Sequence, residues 1–128
     1  MTTVLVVDDE ALIAMALEAA LEDAGYRVAT AANGRQGLER LAKAPRPEIV
    51  LLDMMMPVMN GPAMLAAMAA DPALRGIPVI VLSSLPEEAI RDRAGAGGVA
   101  AILRKPYTAE QVLDAIARAL GGARETGA

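Results

Sequence analysis

The sequence predicts a doubly wound α/β sandwich, a single parallel sheet of five strands with helices on both faces. Three observations carry this. The runs Val4-Leu5-Val6-Val7, Ile49-Val50-Leu51-Leu52 and Val79-Ile80-Val81-Leu82 are apolar without alternation, as strands buried on both faces are. Segments of helical period lie between and after them, so that strand and helix alternate five times. The length, 128 residues, is that of one domain.

The elements follow in order. After the first run, Ile13, Leu17 and Leu21 recur every fourth residue and form a helical stripe that closes at Gly25. Tyr26, Val28 and Thr30 alternate with Arg27 and Ala29, the pattern of a strand less buried on one face, as at a sheet edge. Asn33 is placed to cap a helix carrying Leu38 and Leu41, which Pro45 ends. After the second run, Asn60 caps a helix bearing Met64, Leu65 and Met68. After the third, Ser84 and Glu87 fit a capping box with Pro86 in the first turn, and Gly95, Gly97 and Gly98 end that helix. Val99 to Leu103 is the fifth strand, and Thr108 with Gln111 opens a last helix bearing Leu113, Ile116 and Leu120. Residues 1–121 read as the domain and 122–128 as a flexible, small and polar C-terminal tail.

Composition narrows the chemistry. Apolar residues make up 55% of the chain but only Tyr26 and Tyr107 are aromatic, so the core is built from aliphatic side chains and methionine. With no cysteine, disulfides, thiolate metal sites and thiol nucleophiles are excluded. With no histidine, catalytic triads, imidazole ligands and a phosphohistidine on this chain are excluded as well. The net charge is −4 with no basic block, so no nucleic-acid partner is expected. No apolar stretch approaches a membrane span and no signal pattern opens the chain, so the expectation is a soluble cytoplasmic protein without a membrane partner.

A doubly wound sheet of order 2-1-3-4-5 binds ligands outside the carboxyl ends of its strands, where the order reverses. Asp8 and Asp9 follow strand one, Asp53 ends strand three, Ser83 ends strand four and Lys105 follows strand five. All five fall at that edge, and the three carboxylates should converge between strands one and three. Carboxylates about 5 Å apart repel by roughly 3 kcal/mol per pair at an effective dielectric of 20, which calls for a cation. An all-oxygen donor set suits a hard ion that keeps waters and binds phosphate, Mg²⁺ or Mn²⁺. A carboxylate is also a nucleophile able to form an acyl phosphate. Lys105 would supply a charge and Ser83 a hydroxyl for the phosphoryl oxygens. Singly, each feature is ordinary: an Asp pair caps a turn, Ser83-Ser84 caps a helix, Lys105-Pro106 enters one. Met54, Met55, Met56 and Met59 raise copper as an alternative, but methionine is more often core filler.

On these residues the chain resembles the receiver domain of response regulators, of the chemotaxis-regulator, flavodoxin-like (βα)5 kind, from about Thr3 to Leu120. The match rests on Asp8-Asp9, Asp53 with Pro57 and Gly61, Ser83, and Lys105-Pro106. The spacings match too: 44 residues from Asp9 to Asp53, 30 from Asp53 to Ser83 and 52 from Asp53 to Lys105. The resemblance implies Asp53 as the phosphorylation site, with Mg²⁺ held by Asp9, Asp53 and the Met55 backbone carbonyl, and by Asp8 through water. It implies that Ser83 couples the phosphoryl group to the face of helix four, strand five and helix five, where a downstream target protein binds. The donor it implies is a phosphohistidine on a sensor histidine kinase or histidine phosphotransfer protein. A cis Lys105–Pro106 bond aiming Lys105 is expected, with Pro106 structural. Slow hydrolysis is also expected, because the positions that would orient water are Met55 and Leu85. One departure stands out. The aromatic that receivers commonly carry three residues before the Lys is here Ile102, and Tyr107 does not occupy that position. The chain is expected to be a single-domain regulator or the front of a longer one.

Three other classes are less consistent with the residues. A scaffold that had abandoned phosphorylation would be expected to have lost Asp53 or Lys105. A flavin or cobalamin carrier would want a glycine-rich loop after strand one. A phosphatase of the haloacid-dehalogenase kind needs a second Asp two residues after the first, where Met55 stands.

Overall fold

The computed structural model describes residues 2–86, 88–90 and 99–127, with side chains through Gly121. Five strands, β1 (Thr3–Val7), β2 (Arg27–Ala31), β3 (Ile49–Asp53), β4 (Val79–Ser83) and β5 (Val99–Arg104), form one sheet in the order β2-β1-β3-β4-β5. Every neighbouring pair is parallel. The helices are α1 (Ala11–Asp23), α2 (Gly34–Leu41), α3 (Gly61–Ala70), α4, labelled here from its described residues 88–90, and α5 (Ala109–Gly127). This is the predicted doubly wound fold, with β2 at the edge where its alternation put it.

Period-two alternation along the buried strands divides the core into two layers. Val4, Val6, Ile49, Leu51, Ile80 and Leu82 face α1 and α5 and pack with Leu17, Leu21, Val112 and Ile116. Leu5, Val7, Val50, Leu52, Val79 and Val81 face the other way and pack with Leu41, Met64, Leu65, Met68 and Ile90 from α2, α3 and α4. Consecutive residues of β1, β3 and β4 are therefore all buried, which is why those strands read as unbroken apolar runs.

Helix entries follow the capping chemistry. The Asn33 side chain accepts the Gln36 N–H, Asn60 accepts the Ala63 N–H, and Thr108 and Gln111 exchange both bonds of a capping box. Beyond α1, Gly25 takes φ +98°, where a residue with a Cβ is strained. The expected Ser84–Glu87 box and the stop at Gly95, Gly97 and Gly98 involve residues outside those described.

Two local features differ from the sequence expectation. β5 runs one residue further, to Arg104, and its register against β4 slips between Val79 and Ile80 so that Ala100 is left over as a bulge. Helix α5 passes Leu120 and takes in residues 122–127, where a tail was expected. Glycine in a helix interior costs roughly 1 kcal/mol relative to alanine, but Ala123, Arg124 and Glu125 beyond the pair favour the helix.

The two-layer core sets a contrast. Replacing fully buried Leu51 by alanine should lower the unfolding free energy by about 2–5 kcal/mol. Leu12→Ala, at a position 81% exposed, should change it by less than about 0.5 kcal/mol. Urea denaturation measures both.

Candidate functional site

Parallel register brings the strand ends to one edge. Val7 is opposite Leu52, Asp53 is opposite Leu82, and Ser83 is opposite Arg104, so Asp8, Asp53, Ser83 and Lys105 emerge side by side. Backbone bonds hold the exits: the Asp8 N–H donates to the Ala31 carbonyl at 3.0 Å and the Lys105 N–H to the Ser83 carbonyl at 2.8 Å. Three of the polar side chains each accept from an amide two residues on. The Glu10 N–H donates to Asp8 Oδ1 (2.9 Å), the Leu85 N–H to Ser83 Oγ (3.0 Å) and the Met55 N–H, more loosely, to Asp53 Oδ1 (3.4 Å). The Lys105–Pro106 peptide is cis, as expected; a second cis bond, Ala44–Pro45, was not foreseen.

The three carboxylates converge. One oxygen from each of Asp8, Asp9 and Asp53 lies within 4.8 Å of the others. Asp8 and Asp53 are 2% and 4% exposed, whereas Asp9 is exposed. Lys105 Nζ stands 3.6 Å from Asp53 Oδ1. Burial raises the Asp53 carboxyl above the ordinary range, with Lys105 and the Met55 amide opposing it and Asp9 adding to it. Burial likewise raises Asp8, opposed by the Glu10 amide and reinforced by the charge of Asp53.

Among the described residues the set is one cation against three anions, and Asp8 Oδ2 is buried without a hydrogen-bond partner. An orphaned oxygen within a carboxylate trio, with no sulfur or imidazole, fits a hard divalent cation. The residues therefore suit Mg²⁺.

Of the residues selected from the sequence, Asp8, Asp9, Asp53 and Lys105 come together, and Ser83 and Pro106 lie at the same sheet edge; Met55 presents its N–H, not its carbonyl, to Asp53, while its side chain is 63% exposed. Sequence reasoning missed two neighbours. Glu10 supplies the amide that fixes Asp8. Tyr107 is half-buried close to the carboxylates, and burial, then Asp8, Asp53 and Glu10, push its phenol up to about 12. Its place directly after Lys105-Pro106 was the available signal. Ile102, like Leu85 and Val99, packs against the layer containing Ile90.

A doubly wound sheet whose reversal point gathers buried carboxylates, a hydroxyl and an ammonium defines a class of protein, one equipped for phosphoryl and divalent-cation chemistry. Within that class the chain belongs to the response regulator receiver domain family, whose family model matches residues 4–117. It is 33% identical to protein PilH of Pseudomonas aeruginosa over 95% of this chain and 100% of that one. It is 36% identical to the chemotaxis protein CheY of Thermotoga maritima over 88% of this chain and 92% of that one. Against the transcriptional regulatory protein PdtaR of Mycobacterium tuberculosis it is 32% identical, over 95% of this chain, but spans only 58% of that relative's length. Among solved structures, chemotaxis protein CheY4 of Vibrio cholerae superposes with a TM-score of 0.86 at 33% identity, over 93% of this chain and 98% of that one. The family binds Mg²⁺ at an acidic pocket, which here corresponds to the Asp8, Asp9 and Asp53 cluster.

The raised carboxyls have a definite sign. A carboxyl whose folded pKa exceeds its unfolded value contributes stability below the unfolded value, about 3.9, and loses it as pH rises through the folded one. In chelator, Asp53→Asn should therefore be more stable than the unmodified protein at neutral pH and should converge with it as pH falls toward 4. Saturating Mg²⁺ should stabilise the unmodified protein, by about 2.7 kcal/mol at a hundredfold excess over Kd, and should stabilise Asp53→Asn less. Thermal melts across pH, with and without Mg²⁺, read both effects.

Proposed function

We propose that the chain accepts a phosphoryl group on Asp53 from a phosphohistidine carried by a sensor histidine kinase or histidine phosphotransfer protein, in the cytoplasm, and that this changes how it binds a downstream protein. The observation that carries the reading is the buried Asp53 carboxylate with two carboxylates within 4.8 Å and an ammonium at 3.6 Å. Such an environment disfavours the bare anion and favours a state in which positive charge and phosphoryl oxygens enter together.

Asp9, Asp53 and the Met55 carbonyl would hold Mg²⁺ (or Mn²⁺), with Asp8 acting through water. When bound, the cation supplies charge neutralisation between acceptor and phosphoryl oxygens. An Asp53 carboxylate oxygen attacks phosphorus in line, the P–N bond to imidazole breaks, and its electron pair leaves with the donor nitrogen. Lys105 turns its ammonium from Asp53 alone to the incoming phosphoryl oxygens. The Ser83 oxygen already accepts the Leu85 N–H, so its own O–H is left to donate to the phosphoryl group. Pro106 sets the turn from which Lys105 projects.

Donor docking is supported by apolar surface around the mouth. Leu12 and Met15 on α1 and Met55 and Val58 after β3 are exposed, and a cleft of about 570 Å³ is lined by Ile13, Leu17, Lys105, Pro106 and Tyr107. The output face is that of α4, β5 and α5. There Ile102, lacking a ring and a hydroxyl, would transmit change by aliphatic packing against the core layer that contains Ile90.

Acetyl phosphate with Mg²⁺ should add one phosphate to the protein, seen by intact mass, and none to Asp53→Asn; equal labelling of that variant would overturn the assignment. The second expectation concerns lifetime. Neither the exposed Met55 side chain nor the half-buried Leu85 side chain hydrogen-bonds water. After donor removal, phosphate should leave the unmodified protein slowly, and a Met55→Asn, Leu85→Glu double variant should lose it about tenfold faster or more. Radiolabel decay distinguishes the two rates.

A further inference from the structure

The loop joining Asp53 to α3 is pinned from two sides and strained at its tip. At the near end, the Gly61 N–H donates to the Met54 carbonyl at 3.1 Å. At the far end, the Met59 carbonyl accepts at 2.9 Å from Gly34, the first residue of α2. Gly34 N–H is one of the donors a helix start leaves without an intrahelical partner, so α2 spends it on the acceptor loop. Between the pins the chain closes a tight turn, Met59 N–H to the Pro57 carbonyl at 2.7 Å, which puts Val58 at φ +68°. Left-handed backbone at a β-branched residue is strained. The Val58 side chain is 76% exposed, so its packing does not offset this. The two pins therefore hold the turn, and Met55, whose N–H faces Asp53 Oδ1 at 3.4 Å, lies between them.

The contact at Gly34 has no spare room. A Cβ there would meet Met59 Cγ at 2.8 Å and the Met59 carbonyl oxygen at 2.9 Å. A side chain would have to push the loop's backbone, not merely a flexible side-chain end. We infer that Gly34, on a different element and without contact to the reacting atoms, is a positioning residue for the phosphoacceptor loop. By latching the Met59 carbonyl it fixes the strained turn and hence the Met55 backbone beside Asp53. This rests on the reading of Asp53 as acceptor and adds to it the element that keeps its loop in register.

Gly37, on the same helix, supplies the control. A Cβ there would meet Met64 Cε at 2.8 Å and Val7 Cγ2 at 3.1 Å, side chains of the core and not the loop. Gly34→Ala and Gly37→Ala should both lower stability. Only Gly34→Ala should speed amide hydrogen exchange in peptides spanning residues 54–60 of the metal-free protein. It alone should also weaken Mg²⁺ binding and slow labelling by acetyl phosphate, each by about tenfold or more, since misplacing a reacting group by about 1 Å costs up to roughly a hundredfold. Adding Met59→Ala removes the Cγ contact but leaves the carbonyl, so it should not restore the Gly34→Ala variant. Equal loop exchange and Mg²⁺ affinity in the two glycine variants, or full rescue by Met59→Ala, would overturn the latch. Should Gly34→Ala fail to fold, native-state exchange of the unmodified protein decides: the Gly34 amide should be protected and should open together with the Gly61 amide, and independent opening would overturn it. A protein that takes no phosphate and binds no Mg²⁺ refutes the acceptor reading, whereas the exchange results judge the latch by themselves.

Discussion

The confinement of like charge at the end of a hydrophobic sheet is the constraint on which the site depends. Asp8 and Asp53 are almost fully buried, within 4.8 Å of each other and of Asp9, with a single ammonium, Lys105, beside them. A carboxylate leaving water without compensation raises its own pKa, and both do. The fold tolerates this because the neighbouring strands are fixed by a fully apolar two-layer core. Strand register cannot slip by one residue without turning every side chain of β1, β3 and β4 to the other layer. The rigidity of the sheet is what keeps the carboxylates together, and their mutual repulsion is what makes the edge receptive to a divalent cation.

That arrangement was legible because it follows from local rules applied at a few residues. The unbroken runs at Val4, Ile49 and Val79 identify doubly buried strands, and the alternation from Tyr26 to Thr30 identifies an edge. Once the strand order is set, the residues just past each run must emerge at the same edge, so Asp8, Asp53, Ser83 and, one residue further on, Lys105 are placed there by topology. The caps at Asn33, Asn60 and Thr108 were legible for the same reason, since each bonds within three residues of itself.

What escaped the sequence depends on partners far along the chain. The left-handed backbone of Val58 contradicts its own preference and sits in a loop whose Met54 and Met59 carbonyls are held by Gly61 and Gly34. Tyr107 reads as a residue past a proline, yet it packs on the α1 layer close enough to feel Asp8 and Asp53. The continuation of α5 through Gly121 and Gly122 overrides the local glycine penalty.

Methionine takes over a role that aromatic side chains often fill. With no Phe or Trp, the space beneath α2 and α3 is filled by Met54, Met59, Met64 and Met68, which bend to fit irregular gaps. Three glycines meet three of them: Gly34 against Met59, Gly37 against Met64, Gly61 against Met54. Each pairing lets an unbranched thioether chain lie against bare backbone, so that the helices and the loop after β3 approach more closely than a Cβ permits. At Gly37 the contact is only with side-chain ends, and the neighbours are free to give. At Gly34 and Gly61 the nearest atoms include the loop's own backbone, so the same pairing becomes a geometric stop. A soft core layer under the helices and hard backbone contacts at the loop are thus made from the same two residue types. The difference lies in which atom of the methionine the glycine faces.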